Sequence, residues 1–311
     1  MGNTKIYIVG SGAIGKTLAV FLKLEGKEVV LVRGSVDNLK ESDGVISVRD
    51  NKNQTFEESI TTTTFSNLKE VNGIVLITTK TFANAKIAEK LASFKGEFSI
   101  VLLQNGLNIE KPFETFKDVF RCVLFTTSQI IDNGEVRFKT VTASPVGSIN
   151  NENENLREIV NRINTEHFTF RAEPNIDHFV WNKAIINCAF NSICPLLEVD
   201  NGIFHRNAEV TSIARKVIME CVNLSHKIGL QLNEVEIEKS LLLISERADG
   251  QLISTYDDIR KKRRTEIESL NLEMARLAES IGEPEIVPFT KALGLTVLEK
   301  SKLSLLENSN R

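Results

Sequence analysis

The sequence predicts an α/β protein in which a parallel-sheet domain is followed by an all-helical domain. Short apolar, β-branched runs alternate with amphipathic runs through the first half, as in repeated strand-helix-strand units. A glycine-rich turn joins the first apolar run to the first amphipathic run. Strand patterns cease near Pro174, and the chain beyond it has helical periodicity. For a chain of 311 residues, we therefore expect two domains, at residues 1–173 and 174–311.

Composition narrows the classes of function. The chain is 41% hydrophobic, and its net charge of −3 gives no electrostatic reason to expect a nucleic-acid partner. No basic leader and no apolar stretch long enough to span a bilayer is present, so we expect a soluble, cytoplasmic protein without a membrane partner. The cysteines are Cys122, Cys188, Cys194 and Cys221. Because they lack C-x-x-C spacing and stand among apolar residues, we expect reduced core residues and no metal site.

The first strand-helix-strand unit carries a glycine motif. Lys5–Val9 predicts a strand, a helix follows up to Leu24, and Val29–Val32 predicts the second strand. The turn between them reads Gly10-Ser11-Gly12-Ala13-Ile14-Gly15. In a Rossmann-type domain such glycines allow a tight turn, a close approach of pyrophosphate and close helix packing, and the helix N-terminus faces the phosphates. Glycine turns also occur for purely structural reasons, but this context favours a dinucleotide site.

The residue after the second strand indicates which dinucleotide binds. Acidic residues at this position suit the ribose 2′-hydroxyl of NAD, whereas an arginine suits the 2′-phosphate of NADP. This chain has Arg33 there. The alternative is an exposed strand-end arginine with no ligand. We predict a preference for NADPH that Arg33→Ala abolishes.

Further elements follow from periodicity. The predicted strands are Val45–Val48, Thr55–Thr64, Gly73–Thr79, Phe98–Leu103, a hairpin of Val119–Ile131 and Glu135–Val141 across Asp132-Asn133-Gly134, Ser144–Ile149 and Phe168–Phe170. The predicted helices are Ala83–Phe94, Leu156–Ile163, Asp177–Cys194, Glu209–Ile228, Glu234–Arg247 and Tyr256–Ile281. Lys80 and Asn105 each follow a buried parallel strand, at the edge where open α/β sheets bind ligands. Each is alternatively an ordinary solvated or turn residue.

The first helix of the second half combines apolar faces with one polar row. Lys183, Asn187 and Asn191 recur every fourth position and so share one face. A solvent-facing row would explain them without chemistry, but carboxamides in line with a lysine favour a small polar ligand. The basic run Arg260–Arg264 is better explained as a solvated face balanced by acidic neighbours than as a nucleic-acid patch.

Together these motifs resemble the ketopantoate reductases (2-dehydropantoate 2-reductases) over nearly the whole chain. The matching segments are the glycine turn, Thr79-Lys80, Gln104-Asn105-Gly106, Trp181-Asn182-Lys183 with Asn187 and Asn191, Asn201-Gly202, and Ser254 leading to Asp258-Ile259-Arg260, Arg263, Thr265, Glu266 and Ile267. The resemblance implies reduction of ketopantoate to pantoate by NADPH, a step towards coenzyme A.

The resemblance also implies roles for individual residues. Lys183 is the general acid, and Asn187, Asn191, Asn201 and Ser254 hydrogen-bond the substrate. Asn105 lies beside both cofactor and substrate. Glu266 lies by the cofactor, at the catalytic end of the site, and Gly10 to Gly15, Arg33 and Lys80 bind the cofactor.

Two departures from the family pattern affect the expected substrate more than the reaction type. Leu272 follows Asn271 where the family usually has glycine, and Tyr256 and Asp257 follow Ser254 where an apolar residue and a glutamine are expected. Two alternatives therefore stay open: a reductase of another 2-oxo acid, and an NADP(H)-binding sensor without turnover. The apolar helices of the second half can form either an internal core or a homodimer interface.

Overall fold

A computed structural model of the protein describes residues 4–131, 134–149 and 155–309, which form two compact units. The first unit comprises the residues up to 104 together with 109–176, and the second comprises 105–108 together with 177–311. The division after Ile176 lies close to Pro174, where the sequence predicts a boundary between residues 1–173 and 174–311. The sequence does not predict that residues 105–108 belong to the second unit. The two-domain division at these bounds stays a prediction.

Within the described residues, the first unit holds one sheet of eleven strands. The strands are β1 (Ile6–Val9), β2 (Val29–Arg33), β3 (Ser42–Arg49), β4 (Thr55–Thr64), β5 (Gly73–Ile77), β6 (Phe98–Leu102), β7 (Val119–Cys122), β8 (Thr126–Ile130), β9 (Val136–Thr140), β10 (Ser144–Ser148) and β11 (Phe170–Ala172). Their order is β11-β10-β7-β6-β5-β1-β2-β4-β3-β9-β8. The central strands β7, β6, β5, β1, β2 and β4 run parallel. Their carboxyl ends therefore meet at one sheet edge.

Helices cover both faces of this sheet. They are α1 (Ala13–Leu24), α2 (Asn84–Ala92) and α3 (Leu156–Ile163). Side chains of a strand alternate between faces, so Ile6 and Ile8 pack with α1 and α3, while Tyr7 and Val9 pack with α2. This two-sided burial explains why the central strands are continuously apolar.

The second unit is helical in the described residues. Its helices are α4 (Ile176–Leu197), α5 (Ile203–Arg206), α6 (Ala208–Lys227), α7 (Glu234–Arg247), α8 (Ser254–Arg260), α9 (Asn271–Ser280) and α10 (Pro288–Ser309). Phe190 and Phe204 meet edge to face in its core, with ring centroids 4.7 Å apart. The predicted Rossmann-type α/β domain followed by a helical domain is confirmed.

The predicted continuous helix from Tyr256 to Ile281 is wrong. The chain leaves α8 at Arg260, passes through Lys262 at φ +52°, forms a 3-10 turn at Ile267–Ser269 and only then begins α9. Like charges spaced three and four residues apart along a continued helix would repel one another. The break instead lets Arg263 turn back, where its Nε donates to Asp258 Oδ1 over 2.9 Å.

Smaller expectations also need correction. Val119–Ile131 is two strands, β7 beside β6 and β8 beside β9, because Val123–Phe125 leave the sheet between them. The last strand of the first unit begins at Phe170 rather than Phe168. The β8–β9 hairpin is present, but Asp132 and Asn133 of its predicted turn lie outside the described residues. Helix α10 was not predicted.

The cysteines are buried thiols that form no disulfide, as expected for reduced core residues. Burial raises the pKa of the Cys194 thiol to about 12, so this side chain stays protonated at neutral pH. In the part of the chain that the structure describes, no cluster of three potential metal-binding side chains occurs. None of the described helices combines the length and apolarity that a membrane crossing requires.

Candidate active site

The glycine turn lies between β1 and α1, at the carboxyl edge of the parallel strands. Gly10 has φ +124°, and a Cβ there would lie 2.6 Å from Thr78 Oγ1. A Cβ on Gly15 would lie 1.9 Å from the carbonyl oxygen of Gly10. These glycines are therefore needed for the turn itself, because any side chain would push α1 away from the strand ends.

Gly12 differs from the other glycines of the motif. A Cβ added there would meet no atom within 4 Å, and Ser11 and Gly12 are exposed. Gly12 caps α1, and no side chain within the described residues accepts from the helix's first N–H groups. An open space before unpaired N–H groups is what a pyrophosphate requires, so the turn fits the phosphates of a dinucleotide.

Arg33 and Lys80 lie at the same sheet edge as the glycine turn. Arg33 is the exposed last residue of β2, and Lys80 is half-buried just beyond β5. Because β1 pairs with both β2 and β5, the two strand ends flank the turn. The structure thus brings together all the predicted cofactor-binding residues of the first unit.

The buried side-chain amides of Asn84 and Gln104 hold the backbone next to Lys80. The sequence did not predict this pairing. Gln104 and Asn84 exchange hydrogen bonds of 2.6 and 3.0 Å, and Gln104 Nε2 also donates to the Thr79 carbonyl over 2.8 Å. Asn84 and Gln104 are 2% and 7% exposed. Buried amides with both partners satisfied hold their neighbours in place, so the Thr79-Lys80 turn has a fixed path. The sequence offered Gln104 only as a motif residue, without a partner.

The loop after Arg33 is also anchored. Ser66 N donates to Asp37 Oδ1 over 2.9 Å, and Lys90 of α2 pairs with the other carboxylate oxygen. The Lys90 ammonium and the Ser66 amide hold the pKa of Asp37 well below its usual range. Asp37 therefore carries a full negative charge at neutral pH, and no sequence pattern had linked it to Lys90.

In the second unit, the polar row on α4 ends at a buried asparagine. Lys183 and Asn187 are half-buried, whereas Asn191 is only 3% exposed. Asn191 Nδ2 donates to the Asn187 carbonyl over 3.0 Å. Its Oδ1 accepts from Ser254 Oγ over 3.3 Å and from Thr255 N over 3.4 Å. The predicted substrate residues Asn191 and Ser254 are therefore in direct contact, at the start of α8.

Asn201 lies close to the same segment. Its backbone N–H donates to the Gln251 carbonyl over 2.8 Å, three residues before Ser254, and its side-chain Oδ1 is buried without a hydrogen-bond partner among the described residues. Buried polar atoms are rarely left unsatisfied, so this oxygen is an acceptor available to a ligand hydroxyl. The second unit thus supplies an ammonium, several side-chain amides and a hydroxyl. They belong to Lys183, to Asn187, Asn191 and Asn201, and to Ser254.

Gly202 of the Asn201-Gly202 turn lies against the ion pair between Arg206 and Asp249. A Cβ on Gly202 would lie 1.8 Å from Asp249 Oδ1. Arg206 binds both Asp249 and Asp200, and Gly202 N donates to Asp200 Oδ1 over 2.7 Å. Burial alone would raise the pKa of Asp200, but the hydrogen bonds from Arg206 and the backbone outweigh it, and the pKa lies below its ordinary value.

Asn105 belongs to the second unit and lies near Glu266 in the fold. Leu107 N donates to the Ser269 carbonyl over 2.9 Å, and Ser269 Oγ donates to the Glu266 carbonyl over 2.9 Å. Asn108 Nδ2 donates to Glu273 Oε1 over 2.7 Å. The exposed Asn105 therefore directly precedes a segment that is hydrogen-bonded to the turn that begins at Glu266.

The departures at Leu272, Tyr256 and Asp257 have local explanations. Leu272 is buried, and Gly294 of α10 approaches it closely, since a Cβ there would lie 3.0 Å from Leu272 Cδ2. The glycine at this contact is therefore Gly294 on α10, and not the residue after Asn271. Asp257 pairs with Lys261 and Arg263, and Tyr256 Oη donates to the Glu198 carbonyl over 3.4 Å.

Two models of one protein family match most of the chain. Residues 6–151 match the family model described as Ketopantoate reductase PanE/ApbA, and residues 175–294 match that of its C-terminal region. The 2-dehydropantoate 2-reductase of Pyrococcus horikoshii is 25% identical over 309 residues, which cover 97% of this chain and 98% of that protein. The enzyme of the same name from Archaeoglobus fulgidus is 25% identical over 288 residues, covering 89% and 92%.

Solved structures show the same fold. The dimeric ketopantoate reductase of Staphylococcus aureus superimposes with a TM-score of 0.79 at 19% identity, covering 96% of this chain and 99% of that chain. D-mandelate dehydrogenase, solved with NADH and anilino(oxo)acetate, superimposes with a TM-score of 0.83 at 20% identity and the same coverage.

Proposed function

Because this chain belongs to the ketopantoate reductase family, and is therefore an oxidoreductase that uses a nicotinamide dinucleotide, we propose that it reduces 2-dehydropantoate to pantoate with NADPH. The observation that carries the proposal is the polar set of the second unit, in which Asn191 contacts Ser254 and Asn201 Oδ1 is buried without a hydrogen-bond partner among the described residues. A protein that only bound the cofactor would need the glycine turn but not this set.

Lys183 is the proposed general acid. When a hydride is added to the 2-carbon, negative charge develops on the oxo oxygen, and a positioned donor lowers the barrier. Lysine ordinarily carries a proton at neutral pH and can transfer it to that oxygen. Its half-buried place on α4, in line with Asn187 and Asn191, suits a role at the end of a substrate site. Glu266 is the second proposed catalytic residue and would also contact the cofactor.

The remaining polar groups bind and orient the substrate. Asn187, Asn191 and Ser254 offer donors to its carboxylate and oxo oxygens, and Asn201 Oδ1 accepts from its hydroxyl. Amides and hydroxyls achieve this without adding charge that would compete with Lys183. Asn105 would touch both substrate and cofactor.

In the first unit, residues Gly10 to Gly15 and Lys80 would hold the cofactor, with Arg33 at the 2′-phosphate. Bound NADPH supplies the hydride. The open space at Gly12 and the uncapped N-terminus of α1 support this assignment. An arginine pairs well with phosphate because its planar guanidinium donates two parallel hydrogen bonds.

The test is loss of NADPH absorbance with 2-dehydropantoate, alongside pyruvate, phenylglyoxylate and branched 2-oxo acids. We expect efficient turnover of 2-dehydropantoate and a fall of about 10²–10⁴-fold in kcat for Lys183→Ala, with cofactor binding retained. Lys302→Ala, which removes an exposed lysine paired with Glu299, is the control and should keep full activity. Full activity of Lys183→Ala would contradict its role.

A reductase of another 2-oxo acid is the second candidate. The structural similarity to D-mandelate dehydrogenase and the residues at Tyr256 and Asp257 favour it. Turnover of a different oxo acid but not of 2-dehydropantoate would keep the chemistry and remove the role in coenzyme A supply. Cofactor binding without turnover of any oxo acid would identify a sensor.

A homodimer is the assembly that we propose for the active protein. The dimeric Staphylococcus aureus relative supports it, as do the exposed leucines of α10 at 295, 303 and 306, which are 45%, 61% and 60% exposed. Light scattering would then give about twice the chain mass of 34.8 kDa. A mass equal to that of one chain would contradict the dimer.

A further inference from the structure

The loop between β2 and β3 carries two acidic residues, Asp37 and Glu41, and the carboxylate of Asp37 is paired with a lysine of α2. Between Gly34 and Lys40 the only carboxylate is Asp37. Lys90 of α2 pairs with its Oδ2, and the side chains of Lys90 and Asp37 are 21% and 31% exposed. The Lys90 ammonium also lies 5.1 Å from the ring centroid of Phe65, which helps to fix its position.

Asp37 is linked to Arg33 through the neighbouring strand β4 and the residues that follow it. Arg33 pairs with Thr64 in the β2–β4 ladder, and Ser66, two residues further on, donates its N–H to Asp37 Oδ1 over 2.9 Å. Gly34 packs against Thr79 and Ile87, and Ile87 lies three residues before Lys90 on α2. The loop therefore runs from Arg33 past α2, and its carboxylate belongs to the segment that directly follows the arginine proposed to meet the 2′-phosphate.

A bare carboxylate at this place would act in two ways. It would repel a phosphate group bound by Arg33, and it would offer an acceptor for the unphosphorylated 2′-hydroxyl, as the acidic residue at the end of the second strand does in NAD-preferring folds. Both effects favour NADH over NADPH. Pairing with Lys90 suppresses both, since the carboxylate is neutralised and its oxygens are already hydrogen-bonded.

We propose that Lys90 is a specificity-determining residue for the cofactor, which secures preference for the 2′-phosphorylated dinucleotide by neutralising Asp37. The inference rests on the proposed use of NADPH. It assigns to α2 a part in cofactor choice without any contact with the cofactor.

The test is equilibrium binding to the full-length protein, independent of turnover. Calorimetry compares adenosine 2′,5′-bisphosphate with adenosine 5′-monophosphate for the wild type, Lys90→Met, Asp37→Asn and the double variant. Methionine is an unbranched apolar side chain that removes the ammonium beside Phe65, and asparagine keeps the acceptor for Ser66 N. We expect Lys90→Met to reduce the preference for the bisphosphate about five- to tenfold, and the double variant to restore it, with the loss shrinking at high salt.

Each outcome has a distinct meaning. If the wild type and Arg33→Ala bind both ligands alike, the assignment of NADPH fails, and this inference fails with it. If Arg33→Ala loses a preference that Lys90→Met retains, only this inference is overturned. A loss in Lys90→Met that the double variant does not restore would show that Lys90 anchors the loop rather than neutralising a charge, and would also overturn it. Should Lys90→Met not fold, Asp37→Asn alone decides, because it must keep or raise the preference.

Discussion

Gly12 and Gly15 belong to one turn but meet different surroundings. A methyl group on Gly15 would overlap the Gly10 carbonyl, whereas one on Gly12 would enter open space. The sequence motif predicted a ligand site from both residues together. The structure separates a glycine that the fold needs from one whose missing side chain leaves room for a ligand.

We predict that Gly15→Ala destabilises the protein by about 1–3 kcal/mol, because the helix must move away from the strand ends. Gly12→Ala should change stability by less than about 1 kcal/mol, since its φ of −77° suits alanine. The same variant should weaken dinucleotide binding at least about tenfold through loss of close approach. Urea unfolding and cofactor titration on both variants measure this, and each variant is the control for the other. Normal dinucleotide affinity in Gly12→Ala would remove Gly12 from the phosphate site.

Several residues of the candidate site could be predicted because their positions follow from local pattern. Arg33 and Lys80 end apolar runs, and Lys183, Asn187 and Asn191 repeat at helical spacing. The partners of these residues could not be predicted in the same way. The pairing of Asn84 with Gln104, or of Asp37 with Lys90, depends on which strands and helices become neighbours, and a single sequence does not encode that in any short pattern.

At the scale of elements, the N-terminus of α10 is capped by a side chain from another helix. Glu220 of α6 is 8% exposed and accepts from Phe289 N over 2.9 Å, from Thr290 N over 2.8 Å and from Thr290 Oγ1 over 2.7 Å. These are the orphan donors of the α10 N-terminus, and a carboxylate there also complements the helix dipole. Helix α10 was missed because its N-terminal cap comes from about seventy residues earlier in the chain.

We predict that Glu220→Gln lowers the free energy of unfolding by about 1–3 kcal/mol, because one acceptor oxygen becomes a donor facing another donor. Glu279→Gln, which removes an exposed carboxylate paired with Lys291, is the matched control and should change stability by no more than about 0.5 kcal/mol. Denaturant unfolding of both variants provides the comparison. Equal stability of Glu220→Gln and the control would show that the cap contributes little.

The broken helix between Tyr256 and Ile281 shows where periodicity fails. After the polar run 260–266, apolar residues resume at helical spacing from Ile267 and Leu270, so pattern alone allows one helix. The chain breaks where Arg263 turns back to Asp257 and Asp258, and where Leu107 hydrogen-bonds to Ser269 at the 3-10 turn. The second interaction comes from a segment more than a hundred residues away, which no local window contains.

At the scale of the whole molecule, the two compact units are not two consecutive stretches of sequence. The second unit takes residues 105–108 from the middle of the first and resumes only at Asp177. The predicted division at Pro174 comes close to one of the crossing points. The short excursion was not predicted, because four residues are too few to show a pattern of their own.

The placement of residues 105–108 in the second unit affects how the protein can be divided into fragments and when it can fold during synthesis. A gene fragment beginning at Asp177 would encode all the helices of the second unit from that point but would lack Leu107 and Asn108, leaving the Ser269 carbonyl and the Glu273 carboxylate without those donors. During synthesis on the ribosome, residues 105–108 emerge well before the turn that they pack against has been translated. The final arrangement around Asn105 can therefore form only after the ribosome has passed Glu273, when nearly the entire chain exists.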